Sequence, residues 1–185
     1  MARLLNLLVI ALELRGLSIA VSERGWLRLL IYYTQISNML ALVASVLLVA
    51  FGQPAWVTVL RYTSVCMLVM TAAVTVLVLV PMGGDPHKLL WSGNGVYHHV
   101  LCPALSTVSY VLVESHASAR ALALPVAITL AYGLTMLWLN ARRVVDGPYP
   151  FFRVHEQSKA RTVMWVLVLL AAVSAISGVV LLVAR

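Results

Sequence analysis

Long apolar runs dominate the chain, and short polar segments separate them. A helix needs about 20 apolar residues to cross the hydrocarbon core of a bilayer. Turn-forming segments at 22–25, 52–54 and 81–86, rich in Gly, Pro and charged residues, each end an apolar run. Six runs have the required length, and they predict membrane helices at residues 4–21, 29–51, 57–80, 96–113, 121–139 and 162–184.

The first run has a second interpretation, as a signal peptide. Glu13 and Arg15 interrupt it, whereas the apolar part of a signal peptide is uncharged. We therefore expect a membrane helix here. No internal repeat and no low-complexity linker divides the chain. The pattern predicts an all-α, polytopic membrane protein: a single six-transmembrane-helix bundle over residues 1–185.

Composition narrows the class of protein. Hydrophobic residues make up 62% of the chain and charged residues 10%, against about 45–50% and about 25% in soluble domains. This excludes a soluble enzyme, a secreted disulfide scaffold and a disordered chain. A net charge of +7 also occurs in nucleic-acid-binding proteins, but here the basic residues lie at the ends of apolar runs, as topology signals do. We expect no nucleic-acid partner.

The positions of Lys and Arg predict the orientation in the membrane, because basic residues are more frequent on the cytoplasmic side. The loops after the first, third and fifth predicted helices lie on one side of the membrane and carry Arg24, Arg28, Lys88, Arg142, Arg143, Arg153, Lys159 and Arg161. The opposite side carries only Arg3, Arg61, Arg120 and Arg185. We therefore expect the odd-numbered loops in the cytoplasm and both termini outside. The long connection 142–161 contributes most to this count.

Polar residues within the predicted helices converge at one depth. Thr34 lies six residues after Arg28, His98 four residues after Asn94, and Arg15 six residues before Val21. At a rise of about 1.5 Å per residue these spacings are about 6–9 Å, which places the three residues in one layer of one leaflet. Intramembrane polar residues usually face the interior of a bundle. Histidine is the usual general base near neutral pH, and a hydroxyl nucleophile needs one within reach. The competing interpretation is that Thr34 and Asn38, which share a helix face, only hold helices together.

Cofactor chemistry has little support in the sequence. The adjacent His98 and His99 cannot ligate one haem from opposite faces, no Cys/His spacing is typical of zinc, and no glycine-rich phosphate loop is present. Cys66 and Cys102 lie in apolar runs and have the character of small buried hydrophobes. We expect no metal and no cofactor.

Three short motifs resemble a known family. Residues 33–38 are Tyr-Thr-Gln-Ile-Ser-Asn, residues 98–103 are His-His-Val-Leu-Cys-Pro, and residues 147–151 are Gly-Pro-Tyr-Pro-Phe. Their order and placement resemble those of the Pr6Pr-type bacterial membrane proteins, which are related to the androgen-induced family. The resemblance covers nearly the whole chain and implies a six-helix fold in a bacterial inner membrane.

The resemblance also implies an activity. Characterised animal members are membrane-embedded threonine hydrolases that cleave fatty acid esters of hydroxy fatty acids. Carried over by motif, Thr34 would be the nucleophile and His98 the base, since the family histidine stands five residues before the proline, here Pro103. The family's Asp-Trp pair is replaced by Ser109 and Tyr110, so an acidic partner is missing. We expect the substrate to be a membrane lipid or lipid ester, contacted by Gln35, Asn38, His99, Arg15 and Tyr149.

Two other functions stay open. An acyl transferase on the same scaffold would use Cys102, which lies four residues from His98. A non-catalytic membrane protein would use the polar layer to bind lipid or a small solute. The segment 147–151 either covers the mouth of the site with Tyr149 and Phe151 or forms an interfacial aromatic belt.

Overall fold

The structure, a computed structural model, describes residues 1–184 and confirms the all-α fold. No strand occurs among these residues. Six helices are long and apolar enough to cross a membrane, and the chain is an integral membrane protein. They are α1 (Ala2–Arg24), α2 (Tyr33–Phe51), α3 (Ala55–Leu79), α4 (Val96–Val113), α5 (Ala119–Ala141) and α6 (Lys159–Val183).

The start of α2 differs most from the expected bounds. The sequence predicts a helix from Leu29, whereas a short helical turn ends there and α2 begins at Tyr33. Between them, Tyr132 of α5 accepts a hydrogen bond from the Tyr33 N–H at 3.0 Å and donates one to the Ile31 carbonyl at 2.7 Å. A side chain from a distant helix thus satisfies the backbone groups that the break exposes. No local signal in the apolar run marks this break.

α3 is the central helix of the bundle. It packs against α2, α4, α5 and α6, while α1 packs against α2 and α4. The apolar side chains that face outward include Leu4, Val43, Leu112, Trp138 and Leu167. Such an exterior suits a hydrocarbon environment.

The first turns of α4 are wound as a π-helix over Val96–Leu101. Pro103 lacks an N–H and cannot donate to the carbonyl of His99 four residues earlier, and its ring crowds that carbonyl. A wider winding just before the proline relieves this conflict, and such π segments are frequent at functional sites. The two histidines of the chain's central motif, His98 and His99, both lie in this segment.

A buried ion pair connects the helices at the end of the bundle away from the odd-numbered loops. Arg61 donates two hydrogen bonds of 2.9 Å to the Glu114 carboxylate and one of 3.1 Å to Ser45. Asn6 and Ser109 also donate to Glu114. Burial acts to raise the pKa of Glu114, but Arg61 and the other donors outweigh it and hold the pKa below its ordinary value.

The connection between α5 and α6 folds inward. The Asn140 side chain donates to the Val145 carbonyl at 3.0 Å and accepts from the Val154 N–H at 2.9 Å, which closes the loop on itself. Tyr149, Phe151 and Phe152 are buried against the bundle. The segment 147–151 is therefore part of the protein core at this end, and an aromatic belt facing lipid headgroups does not describe it.

Candidate functional site

Thr34 lies in the first turn of α2, where three polar contacts meet. Its Oγ1 is 3.3 Å from Nε2 of His99 and 3.2 Å from the hydroxyl of Tyr149. Its backbone N–H donates to the same Tyr149 hydroxyl at 3.3 Å. The residue is 8% exposed. A hydroxyl at the N-terminus of a helix also lies at the positive end of the helix dipole, which favours a developing negative charge there.

The orientation of His99 is fixed by a backbone carbonyl. Its Nδ1 lies 2.6 Å from the Leu89 carbonyl oxygen, which only accepts hydrogen bonds, so Nδ1 carries the proton. In the neutral ring Nε2 then has a free lone pair, and this is the nitrogen that faces Thr34. The geometry is that of a general base held in the required tautomer by a third group.

Gly95 allows the Leu89 carbonyl to come this close. A Cβ at Gly95 would lie 2.6 Å from the carbonyl oxygens of Leu89 and Lys88, far inside van der Waals contact. The absence of a side chain therefore permits the segment His87–Trp91 to pack on the start of α4. The turn at 93–95 contributes to the site by this close approach.

Tyr149 reaches Thr34 from the inward-folded loop. Its ring stacks on Phe151 with centroids 5.3 Å apart. Burial raises the pKa of the Tyr149 phenol, so it stays a neutral hydroxyl that can donate a hydrogen bond. Because its oxygen already accepts from the Thr34 N–H, its own proton is free to point toward Thr34 or toward a group bound beside it.

Two pockets meet at Thr34 and Tyr149, which line both. The apolar pocket has an empty volume of about 760 Å³ with its open mouth included and lies among α2, α3, α5 and α6. The polar pocket, of about 990 Å³ by the same measure, lies among the odd-numbered loops. The apolar pocket is lined by residues such as Met70, Val74, Leu137, Phe151, Trp165 and Leu169, and the polar pocket by Arg24, Tyr32, Gln35, Lys88, Asn94 and His99.

His98 does not occupy the position predicted for it. It is fully buried, its Nδ1 contacts the Gln35 side-chain nitrogen at 3.3 Å, and its Nε2 faces Glu13. The imidazole bonded to Thr34 is that of His99, so the predicted pairing of Thr34 with His98 is corrected. The π winding before Pro103 and the orienting carbonyl of the neighbouring loop decide which ring faces Thr34.

The other predicted contact residues divide into two groups. Gln35 lines the polar pocket, and His99 and Tyr149 line it as well. Asn38 lines neither pocket: its side-chain nitrogen donates to the carbonyls of Thr34 at 2.6 Å and His98 at 3.3 Å. Arg15 is exposed on the outer face of α1 and also lines neither pocket. The structure thus places Asn38 and Arg15 away from both pockets.

The sequence reasoning missed two parts of the site region. The Leu89 carbonyl is a backbone group, and no residue type marks it. Glu13 carried a signal, because an ionisable residue in the middle of a membrane helix is expensive and usually functional. Its neighbour His98 lies on another helix, so spacing along the chain does not identify it.

Comparisons of the chain with family models, with curated proteins and with solved structures find no match. Within residues 1–184, no group of three or more His, Cys, Asp or Glu side chains is placed to hold a metal ion.

Proposed function

We propose that this protein is a membrane-embedded hydrolase of lipid esters with Thr34 as nucleophile and His99 as general base. The observation that carries the proposal is the 3.3 Å contact between the Thr34 hydroxyl and the unprotonated nitrogen of His99, at the junction of an apolar and a polar pocket. A core threonine that only held helices together would need neither an oriented imidazole nor access to two pockets.

The reaction has two stages. His99 Nε2 takes the Thr34 hydroxyl proton as Oγ1 attacks the ester carbonyl, and the same proton then passes to the departing alcohol. This leaves an acyl ester on Thr34. Water from the polar pocket, deprotonated by His99, attacks this ester, and the carboxylic acid is released as Thr34 regains its proton. The Tyr149 hydroxyl is the donor to the oxyanion in both stages, a contribution of about 3 kcal/mol in other hydrolases.

The pockets support an amphipathic substrate. The acyl chain would lie along the apolar pocket, and the polar part of the lipid would lie in the polar pocket beside Arg24 and Lys88. The ester bond would then lie at the boundary, next to Thr34. We expect a fatty acid ester of the hydroxy fatty acid type or a related membrane lipid ester.

The motifs at 33–38, 98–103 and 147–151 support our proposal that the chain is a Pr6Pr-type protein related to the androgen-induced family. We accordingly place it in a bacterial inner membrane, with the polar pocket on the cytoplasmic side as the basic loops indicate.

The alternative of an acyl transferase that uses Cys102 is not supported. Cys102 is fully buried and lines neither pocket. Its thiol neighbours Glu13, which does not favour a thiolate. Thr34 is the nucleophilic side chain with access to both pockets.

The test is acyl-directed labelling of the purified protein in lipid nanodiscs, with a fluorophosphonate probe carrying a long alkyl chain. Wild-type protein is expected to be labelled and to hydrolyse the ester substrate, whereas Thr34→Ala and His99→Gln lose both. Thr135→Ala is the matched control, because Thr135 is exposed and bonds only the Ala131 carbonyl of its own helix.

His98→Gln separates the two histidines. We expect it to keep labelling and hydrolysis per folded molecule, since His98 has no contact with Thr34. Lipid binding without labelling or hydrolysis in the wild type would instead identify a non-catalytic lipid-binding protein. Labelling that survives Thr34→Ala would remove this residue as the nucleophile.

A further inference from the structure

A second polar cluster lies behind the candidate site and is not used by the proposed hydrolysis. Glu13 of α1 is 2% exposed and His98 of α4 is fully buried. The Oε2 atom of Glu13 lies 3.7 Å from Nε2 of His98. The two helices meet closely at this point, because a Cβ on Gly16 would lie 2.4 Å from the same His98 nitrogen. The pair therefore belongs to the packed interface between α1 and α4.

The cluster contains several polar atoms without hydrogen-bond partners. Their residues line one narrow gap between the helices, too small to hold a water molecule, together with Leu17, Met39 and Leu42. A buried polar atom without a partner destabilises a fold, so a group of them in one place is an unusual feature of a core. The atoms are Oε1 of Glu13, Oε1 of Gln35, Oδ1 of Asn38 and Nε2 of His98.

The two buried glutamates of the membrane region differ in their partners. Glu114 has the guanidinium of Arg61 at 2.9 Å and two further hydrogen-bonding side chains, Asn6 and Ser109, so it is stable as a carboxylate. Among residues 1–184, Glu13 has no guanidinium or ammonium within ion-pair distance, and its basic neighbour is His98 Nε2. An isolated buried carboxylate is so costly that it either takes a proton or pairs with a cation.

Both possibilities lead to the same proton count. If Glu13 is ionised, His98 must be the imidazolium that compensates it. If Glu13 is neutral, the carboxyl group carries the proton itself. In either case the pair holds one proton more than a carboxylate next to a neutral imidazole.

The remaining titratable groups around the pair do not supply this compensation. The Cys102 thiol lies beside Glu13, and Arg61, already bonded to Glu114, acts on it at longer range. His99 and Arg24 act on His98, and both oppose a positive charge there. The groups facing the pair from α1, α3 and α4 therefore leave the extra proton on Glu13 or His98.

We propose that Glu13 and His98 form a buried proton-binding site that holds one proton at neutral pH and exchanges it with the polar pocket past Gln35. Gln35 separates the polar pocket from the narrow gap: it lines both, and its side-chain nitrogen contacts His98 Nδ1. Rotation of the Gln35 side chain would open a path for water. Water in the polar pocket is the proton donor and acceptor.

Infrared spectroscopy of the purified protein in nanodiscs tests the proposal near pH 7.5, about one unit above the ordinary histidine pKa of about 6.5. A protonated carboxyl group has a C=O stretch well separated from the carboxylate bands and shifts in D₂O. The chain has only six Asp and Glu residues, so one such group is resolvable. Glu13→Gln is the test variant, and Glu23→Gln is the matched control, because Glu23 is exposed on the same helix.

The ¹⁵N resonances of the five histidines provide the second measurement. The site is supported by a protonated carboxyl band that Glu13→Gln removes and Glu23→Gln keeps, or by an imidazolium signal that His98→Gln removes. If the wild-type protein shows neither signal, the proposal is overturned, whether or not the variants fold. Gln35→Leu is expected to slow deuterium exchange at the site several-fold, and unchanged exchange would refute the route past Gln35.

Both readouts are independent of ester hydrolysis. A wild-type protein without hydrolase activity would leave the proton count untouched, and an active enzyme without the extra proton would leave the Thr34 mechanism untouched. Failure of one proposal is therefore distinguishable from failure of the other.

Discussion

The hydroxyl of Thr34 and Nε2 of His99 lie 3.3 Å apart, and the other ring nitrogen of His99 is bonded to the backbone carbonyl of Leu89. The Leu89 carbonyl occupies the position of the carboxylate in a Ser-His-Asp triad, where this third group selects the tautomer of the histidine and orients its ring. A carbonyl has no full charge and stabilises an imidazolium less than a carboxylate does.

Thr34 and His99 are expected to act as one unit. Thr34→Ala and His99→Gln should each reduce kcat for ester hydrolysis to near background, and the double variant should be no worse than either single variant, because members of a catalytic unit fail together. Steady-state kinetics in nanodiscs, normalised to folded protein, measures this. Fully additive losses would show that the two residues act separately. Ser174→Ala, in α6 and bonded only to its own helix, is the control.

Tyr149→Phe should separate catalysis from packing. The ring stacking on Phe151 is kept, and the hydrogen bonds to Thr34 are lost. We expect kcat to fall by about 10²–10³-fold with little change in KM if the hydroxyl serves the oxyanion. A lost neutral hydrogen bond alone costs about 1 kcal/mol of stability. A stability loss without a change in kcat would show that Tyr149 only caps α2. Tyr97→Phe is the control.

Glu114→Gln should destabilise the fold and spare the site. Removing the carboxylate leaves Arg61 buried without its counter-charge, a change that costs about 3–5 kcal/mol. Thermal unfolding in detergent measures the loss. Hydrolysis per folded molecule should persist, because the pair does not line either pocket. A stability equal to that of the wild type would contradict the assigned role of the ion pair.

Glu114 also predicts a pH dependence of stability. Its pKa is lowered in the folded protein, so the carboxylate form is favoured by folding. Its contribution is fully present above the unfolded-state pKa, near 4.5, and is lost as the pH falls through the lower folded-state value. Unfolding midpoints of the wild type should therefore decline below about pH 4.5 more steeply than those of Glu114→Gln. Parallel declines would mean that other groups control acid unfolding.

Gly16→Ala tests the close approach of α1 and α4. The added Cβ would overlap the His98 ring, whose Nε2 is 2.4 Å from that position, and overpacking of this kind costs about 1–3 kcal/mol. Gly178→Ala is the control, since a Cβ there meets nothing within 4 Å. If Gly16→Ala proves as stable as Gly178→Ala, the two helices do not meet as described.

Orientation in the membrane is tested with introduced cysteines. If the basic loops are cytoplasmic, a cysteine at residue 146 should resist impermeant thiol reagents in intact cells, and one at residue 117 should react. The reason is the excess of Lys and Arg in the odd-numbered loops. A background without Cys66 and Cys102 removes competing thiols. The opposite labelling pattern would place the polar pocket on the outer side.

The hydrophobic pattern was sufficient to identify the six membrane helices, because each long apolar run can satisfy its backbone hydrogen bonds in lipid only as a helix. It was also sufficient to single out Thr34 and the adjacent histidines as polar residues near one end of the bundle. These properties depend on composition and on the rise of a helix, which are local.

The pairing within the site was decided by tertiary structure. Whether His98 or His99 faces Thr34 depends on the π winding ahead of Pro103 and on a carbonyl that the segment His87–Trp91 brings to the ring. Glu13 lies beside His98, and Arg61 pairs with Glu114. In both cases the partner comes from a distant part of the chain. Such contacts join residues far apart in the chain, and they depend on packing distances and on the orientations of side-chain rings. No periodicity or spacing in a single sequence encodes these distances and orientations.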